Sequence, residues 1–208
     1  NRYNDATGNP AVRIYQYQDD TSYQAVNIIR SEYQMNGFGQ SIDWSSDGRY
    51  VVVGSPDPRM NNSAPDSLKK GAVYIYDCSN SNPDNSSECT QLGDTILGDY
   101  EQEWFGWRVA INDAGDLILA SSLKYPESDS LGENRNGRVR AYSFSNGSWS
   151  PTGYEYIGNE DYSAAGQELD LSADGALGVF SEPYDSSGAY RSGTIHLICA
   201  NGTSGTCD

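Results

Sequence analysis

A short phrase recurs three times and limits what this chain of 208 residues can fold into. It reads FGQSIDWSSDGRYVVVG at 38–54, FGWRVAINDAGDLILA at 105–120 and AGQELDLSADGALGVF at 165–180. The first glycine of each phrase, at Gly39, Gly106 and Gly166, keeps steps of 67 and 60 residues. A later glycine opens GAVYIYDC, GRVRAYSF and GTIHLICA at a similar period. Repetition on this scale predicts a tandem array of one structural unit.

Each repeat resolves into short strands. QSIDWS alternates apolar and polar residues, an Asp-Gly turn follows, and YVVVGS returns. AVYIYD alternates again after a polar loop, and TQLGDTILG supplies a fourth segment. Helical periodicity is missing from the sequence over any dozen residues. The sequence therefore predicts an all-β fold of tandem four-stranded antiparallel blades of the β-propeller type.

The two ends of the array are incomplete. The opening text NPAVRIYQYQ aligns with the third strand of a unit, and the closing text GTIHLICA does so again. We expect a single array over 1–208 with thirteen strands, about three units. The predicted units are a partial blade at 11–37 with a third and fourth strand, blade 1 at 38–98, blade 2 at 105–158, and a partial blade 3 at 165–208.

The phrases FGQSIDWSSDGRYVVVGSP and GAVYIYD resemble FG-GAP repeats, the family that builds the β-propellers of integrin α chains. VGSP at 53–56 stands where that family has Gly-Ala-Pro, and Ala165 replaces the Phe. The resemblance implies an extracellular propeller. Integrin-like blades carry calcium on a DxDxDG loop, but SSDGR, NDAGD and SADGA offer one or two carboxylates each, and Ca²⁺ takes six to eight oxygens. We expect plain Asp-Gly turns, with no metal and no cofactor.

The net charge of −16 disfavours some partners. Such a surface repels phosphate backbones and anionic lipids, so we expect neither nucleic-acid binding nor a membrane-surface role. No apolar run approaches the ~20 residues of a membrane span. The chain begins at Asn1 without an initiator Met, so it could be a processed product or part of a longer chain.

Cysteines and glycosylation sequons indicate an oxidising compartment. The four cysteines form two close pairs, Cys78 with Cys89 and Cys199 with Cys207; three pairings are possible, and the short-range one closes two small loops. The acceptor motifs for N-glycosylation are NNS, NSS, NGS and NGT, at Asn61, Asn85, Asn146 and Asn201. We expect a secreted or cell-surface glycoprotein.

Candidates for catalysis do not form a recognisable set. His196 is the single histidine and aligns with Tyr74, Arg140 and Arg13, so a catalytic role is disfavoured. Acidic pairs could serve a glycosidase, and nothing in the sequence distinguishes one pair from another. The acids considered are Asp43, Glu101, Glu103, Glu168 and Asp170. The two Trp of EWFGW at 103–107 could stack on a sugar ring or pack between repeats.

The incomplete ends determine the predicted role. A unit that lacks a neighbour leaves unpaired edges and bare apolar faces, which need a covering partner. We expect a structural or adhesive protein that is not an enzyme. Copies of it would join head to tail into a filament or array. The alternatives are a ligand-recognition propeller module within a longer chain, binding protein or glycan, and a glycan-active enzyme.

Overall fold

A computed structural model describes residues 10–19, 22–31, 37–56, 69–79, 89–125 and 135–200. These ranges contain fourteen β-strands and no α-helix. The strands are β1 (Ala11–Asp19), β2 (Ser22–Arg30), β3 (Ser41–Trp44), β4 (Tyr50–Ser55), β5 (Ala72–Asp77), β6 (Thr90–Gln91), β7 (Ile96–Leu97), β8 (Phe105–Ile111), β9 (Leu117–Ser122), β10 (Arg138–Ser145), β11 (Ser148–Ile157), β12 (Leu169–Leu171), β13 (Leu177–Glu182) and β14 (Thr194–Cys199).

The strands form four antiparallel sheets that follow one another along the chain. The first sheet is the hairpin β1–β2, the second holds β3 to β7, the third holds β8 to β11, and the fourth holds β12 to β14. The prediction of an all-β chain built from antiparallel sheets is therefore confirmed for the described residues. A closed propeller is not detected among them.

One strand of the second sheet differs from the prediction. The segment TQLGDTILG was expected to form one fourth strand, but it forms two short ones, β6 and β7, which both pair with β5. Gly93 lies between them with a φ of 73°, and a Cβ there would meet the ring of Phe144 at 2.9 Å. The glycine accommodates a bulge in the strand, which raises the number of strands from the expected thirteen to fourteen.

The first and third Asp-Gly turns are each closed by the carboxylate of their own Asp. In the first turn, Asp47 accepts hydrogen bonds from the Ser45 hydroxyl at 2.6 Å and from the Arg49 amide at 2.9 Å. Asp174 accepts from Ser172 at 2.6 Å and Ala176 at 3.0 Å in the same way. These bonds lower the pKa of both carboxyls. The turns fix the register of the first two strands in these repeats.

Three buried joints hold neighbouring sheets together. Between the first and second sheets lie Val12, Ile29, Phe38, Val51, Val53, Tyr76 and Cys78. Between the second and third lie Val52, Val73, Ile75, Phe105, Val109, Ile111, Ile118, Ala120 and Tyr142. Between the third and fourth lie Ala110, Leu117, Leu119, Val139, Ala141, Ala165, Leu171, Phe180 and Ala200. The core is thus divided among the joints, and each sheet contacts its neighbours in the series.

Polar contacts reinforce the joints. Asp113 of the third sheet accepts from the Ser46 amide at 2.7 Å and the Ser46 hydroxyl at 2.6 Å, and its own amide donates to Ala173 at 2.8 Å. Equivalent turns of three successive repeats are therefore linked in a chain. No helix in the described residues is long and apolar enough to cross a membrane.

Candidate interaction surface

Within the part of the chain that the structure describes, the fourth sheet leaves one apolar face uncovered. Phe180 and Ile198 point toward the third sheet, because both pack in the joint between the two sheets. Successive residues of a strand alternate between faces, so Val179, Ile195 and Leu197 point away. Ile195 is 77 % exposed and Leu197 is 69 % exposed. We call this side the terminal face; its residues are Leu177, Val179, Ile195 and Leu197.

The same positions are buried in the two preceding sheets. Counted from the glycine that opens each third strand, Ile195 corresponds to Val73 and Val139, and both valines are fully buried. Leu197 corresponds to Ile75, which is 1 % exposed, and to Ala141, which is 0 % exposed. The following sheet covers these positions in the second and third sheets. The terminal face therefore has the composition of a joint without the sheet that completes it.

The backbone at this face also resembles an unfilled joint. Gly71 has a φ of 85° and lies so close to the backbone of Phe105 that a side chain would collide with it. Gly137 meets Ala165 in the same way, and both contacts are parallel β-bridges between sheets. Gly193 occupies the equivalent position with a φ of 73°, and the nearest atoms to a Cβ there belong to Pro183, which directly follows β13. Among the described residues, no strand of a following sheet lies against this glycine.

The first sheet presents an exposed aromatic face at the other end of the series. Val12 and Ile29 pack in the first joint, so the alternate residues of β1 point away from the second sheet. Tyr15 is 51 % exposed, and Tyr17 lies edge-on to Tyr23 with ring centroids 5.4 Å apart. We call this side the hairpin face; its residues are Tyr15, Tyr17 and Tyr23.

The carboxylates considered for glycoside hydrolysis are engaged in structural contacts. Glu103 is buried and accepts from both Ser122 and Arg138, and Glu168 forms a two-pronged ion pair with Arg108 at 2.8 Å. Ion pairs of this kind position neighbouring strands. They link the third sheet to the loop before it and to the fourth sheet. Neither glutamate is left as an isolated acid in the described part of the chain.

Two of the remaining candidate acids, Asp43 and Asp170, are close enough to interact electrostatically, and each accepts a main-chain hydrogen bond. Asp43 accepts from the Ile111 amide at 2.9 Å, which ties the second sheet to the third, and its burial raises the pKa of its carboxyl. Asp170 accepts from the adjacent Leu171 amide at 2.8 Å, and Glu101 is an exposed turn residue. The described residues contain no group of three or more His, Cys, Asp or Glu side chains placed to hold a metal ion.

His196 lies half-buried on the inner side of the fourth sheet. Its Nε2 is 2.9 Å from Glu182, and its ring stacks on Phe180 with centroids 4.6 Å apart. Tyr156 of the third sheet donates to the same glutamate at 2.7 Å. The histidine thus belongs to a hydrogen-bonded cluster between two sheets.

The two Trp residues of EWFGW contact each other. Trp104 and Trp107 stack with ring centroids 5.5 Å apart, and the Lys124 ammonium lies 4.3 Å from the Trp104 ring centroid. Trp104 has a φ of 61°, in the left-handed region. Both rings are half-buried, and their indole nitrogens find no acceptor within the described ranges. Because Trp107 and Lys124 already contact the Trp104 ring, this ring is poorly placed to stack on a sugar.

Some of the predicted disulfide cysteines and glycosylation sequons lie among the described residues, and others lie outside them. Cys78 and Cys89 form a disulfide that links the end of β5 to the segment before β6. Cys199 is also disulfide-bonded, whereas its expected partner Cys207 lies outside the described residues. Asn146 is exposed at the tip of the β10–β11 hairpin. The sequons at Asn61, Asn85 and Asn201 lie outside the described residues as well.

The sequence predicts uncovered faces at the two ends of the array but does not identify the residues that form the terminal face and the hairpin face. The signal for the first was present, because GTIHLICA aligns with GAVYIYDC and so places Ile195 and Leu197 at joint positions. The signal for the second was the run of alternating Tyr in RIYQYQ. Neither could be assigned to a side of a sheet until the joints showed which residues point inward.

Comparison with known proteins supports the fold alone. No family model and no curated protein matches the sequence. Among solved structures, the chain is similar to a chain of the complex of KlAtg21 with the coiled coil of AgAtg16, with a TM-score of 0.54 and 15 % identity. The similarity covers 85 % of this chain and 44 % of that chain. This chain therefore spans less than half the length of that relative.

Proposed function

We propose that this protein is an extracellular structural or adhesive glycoprotein whose copies join head to tail into a filament or array. The observation that carries the proposal is the terminal face. Ile195 and Leu197 are 77 % and 69 % exposed, whereas the residues that correspond to them in the second and third sheets are 0–1 % exposed. A surface with the composition of a joint is a surface for a further sheet.

The energetics favour a covered terminal face. Moving a Leu or Ile side chain from water into an apolar contact contributes about 1.5–3 kcal/mol. Two such side chains supply about 3–6 kcal/mol, the same order as the lower estimates of the cost of association. Among the described strands, β14 is at the edge of its sheet, so it adds main-chain donors and acceptors that a partner strand can pair. A contact that uses two different surfaces propagates into a fibre if it does not close into a ring.

The extracellular assignment rests on covalent chemistry. The Cys78–Cys89 disulfide is of the kind that persists in oxidising compartments. Asn146 lies in an exposed turn, where an attached glycan would project into solvent. Both features support a secreted or surface-displayed protein.

A second candidate function is ligand recognition, with this chain as one part of a longer propeller. The similarity to a chain more than twice the matched length favours it. In that case the terminal face would be covered by the next blade of the same polypeptide, and the module would bind protein or glycan through its loops.

The distinguishing experiment uses the full chain. Sedimentation velocity over a concentration series, with negative-stain images of the same samples, should show particles that lengthen as concentration rises. The double variant Ile195→Glu, Leu197→Glu should stay monomeric, because it places charge on the face that must be desolvated. Tyr190→Ser is the control, since Tyr190 is exposed and lies in the loop between β13 and β14, outside the four residues of the terminal face. A monodisperse wild-type monomer at every concentration would contradict the proposal.

A further inference from the structure

The third strand of every repeat carries two adjacent joint residues. They point to opposite faces, so one contacts the following sheet and the other contacts the preceding sheet. The pairs are Ile14 and Tyr15 in β1, Ile75 and Tyr76 in β5, Ala141 and Tyr142 in β10, and Leu197 and Ile198 in β14.

At each internal joint, the first member of one pair meets the second member of the next pair in one apolar cluster. Ile14 packs against the cluster that contains Tyr76. Ile75 and Tyr142 share the cluster of the second joint, and Ile198 packs against the cluster that contains Ala141. Two members of the series have no counterpart among the described residues. They are Leu197 at one end and Tyr15 at the other, and both are exposed.

We propose that the terminal face of one copy packs against the hairpin face of a second copy, with Leu197 of the first against Tyr15 of the second. The inference rests on the proposed head-to-tail assembly and names the two surfaces that meet. The contact repeats the aliphatic-on-aromatic packing of Ile75 with Tyr142 inside the molecule.

Charge favours this pairing over contact between two terminal faces. Asp170 is exposed beside Val179 on the terminal face, so a contact of that face with itself would bring two carboxylates together in a chain already at −16. The hairpin face instead carries Arg13, two residues from Tyr15 on the same side of β1. A contact of the terminal face with itself would also stop at a dimer and leave the tyrosines uncovered.

The tyrosines of the hairpin face supply contact area that the smaller aliphatic side chains of the terminal face lack. A Tyr side chain can bury roughly 150–250 Å² and keep its hydroxyl wet, which suits a surface that is exposed before assembly. Three such rings opposite Leu177, Val179, Ile195 and Leu197 form an interface with an apolar centre. The polar rim would include Asp170 and Arg13.

The test mixes two variants, each of which lacks one of the two surfaces. Leu197→Glu removes the terminal face and Tyr15→Glu removes the hairpin face; both residues are exposed, so the fold should be kept, as urea unfolding of each variant can verify. Each variant alone should be monomeric in sedimentation velocity. An equal mixture should form a dimer and grow no further, because one intact surface of each kind remains. Tyr190→Glu should polymerise like the wild type.

Each other outcome has a distinct meaning. If Leu197→Glu is monomeric while Tyr15→Glu still polymerises, the terminal face meets another surface, and the inference fails although the proposed function stands. If both variants are monomeric and their mixture forms no dimer, the two faces do not meet, and the inference fails again. If the wild type itself never polymerises, both the inference and the proposed function fail.

Discussion

The joint between the second and third sheets and the terminal face of the fourth sheet are built from corresponding residues and differ in what covers them. In the joint, Val73 and Ile75 are sealed by the apolar side of the third sheet. On the terminal face, Ile195 and Leu197 occupy the same repeat positions and lie in solvent. The difference shows that burial in a repeat array is a property of the neighbour as much as of the residue. An exposed apolar pair in such an array indicates a missing neighbour.

The largest predicted loss of stability comes from breaking a buried ion pair of the third sheet, in the part of the molecule where the joints are filled. Arg138 is 2 % exposed, and its Nη2 donates to both oxygens of Glu103 at 3.2 Å. Arg138→Met should lower the free energy of unfolding by about 3–5 kcal/mol, because Glu103 would stay buried without a counter-charge. Urea denaturation monitored by tryptophan fluorescence measures the loss.

The control for that prediction is Arg108→Met. Arg108 pairs with the exposed Glu168, so its loss should cost no more than about 1 kcal/mol. Equal losses for the two variants would show that the Glu103–Arg138 pair is not a special stabiliser of the closed part.

The next prediction compares the same kind of truncation at two corresponding positions, one in a filled joint and one on the terminal face. Ile75→Ala opens a cavity in a filled joint and should cost about 2–5 kcal/mol. Leu197→Ala removes a side chain that is mostly in solvent already, so in dilute solution it should change the free energy of unfolding by no more than about 0.5 kcal/mol. Chemical denaturation of monomeric samples measures both changes in the free energy of unfolding. A large loss from Leu197→Ala in the monomer would mean that the terminal face is covered within the chain.

The smallest effect concerns acid stability. Asp77 at the end of β5 accepts from Arg49 at 2.9 Å, and this bond is the main reason that its pKa falls from 3.8 to about 2. Because the pKa is lower in the folded state, the pair stabilises the fold above pH 3.8, and this contribution is lost as the pH falls toward 2. The fourth sheet has Ala176 and Cys199 at the two corresponding positions and lacks such a pair.

The measurement for Asp77 is the pH dependence of thermal unfolding. Asp77→Asn should be less stable than the wild type at neutral pH, and the difference should shrink as the pH approaches 2. Asp47→Asn is a useful comparison, since Asp47 lies in the neighbouring turn and bonds to Ser45 and Arg49 of that turn. A wild-type and Asp77→Asn difference that stays constant from pH 7 to about 2 would contradict the shift.

The repeat made the sheets predictable, because glycines and alternating residues mark the same local structure each time. The Asp-Gly turn at Asp47 and the strands on each side of it follow from residues within a few positions of one another. The split of the fourth strand around Gly93 did not follow, since it depends on Phe144 and Trp149 of another sheet, which crowd that glycine. A local sequence pattern does not show which residues of another sheet will pack against a given position.

Contacts between distant residues explain why the site was only partly predictable. The alignment of Leu197 with Ile75 was available from sequence, and with it the composition of a joint. The ties of Glu103 to Arg138 and of Ser46 to Asp113 join residues far apart in the chain, and no local pattern encodes them. The carboxylates were therefore visible as candidates, but their use as structural acceptors was not.

The most direct measurement of an open joint is hydroxyl-radical footprinting of Ile195 and Leu197 over a dilution series. In dilute, monomeric samples both side chains should be labelled strongly, while Val73 and Ile75 in the same digest stay protected. As concentration rises and particles lengthen, Leu197 and Tyr15 should become protected together. Protection of Ile195 and Leu197 in the most dilute monomer, or strong labelling at every concentration, would contradict the account of the terminal face as a joint that a second copy completes.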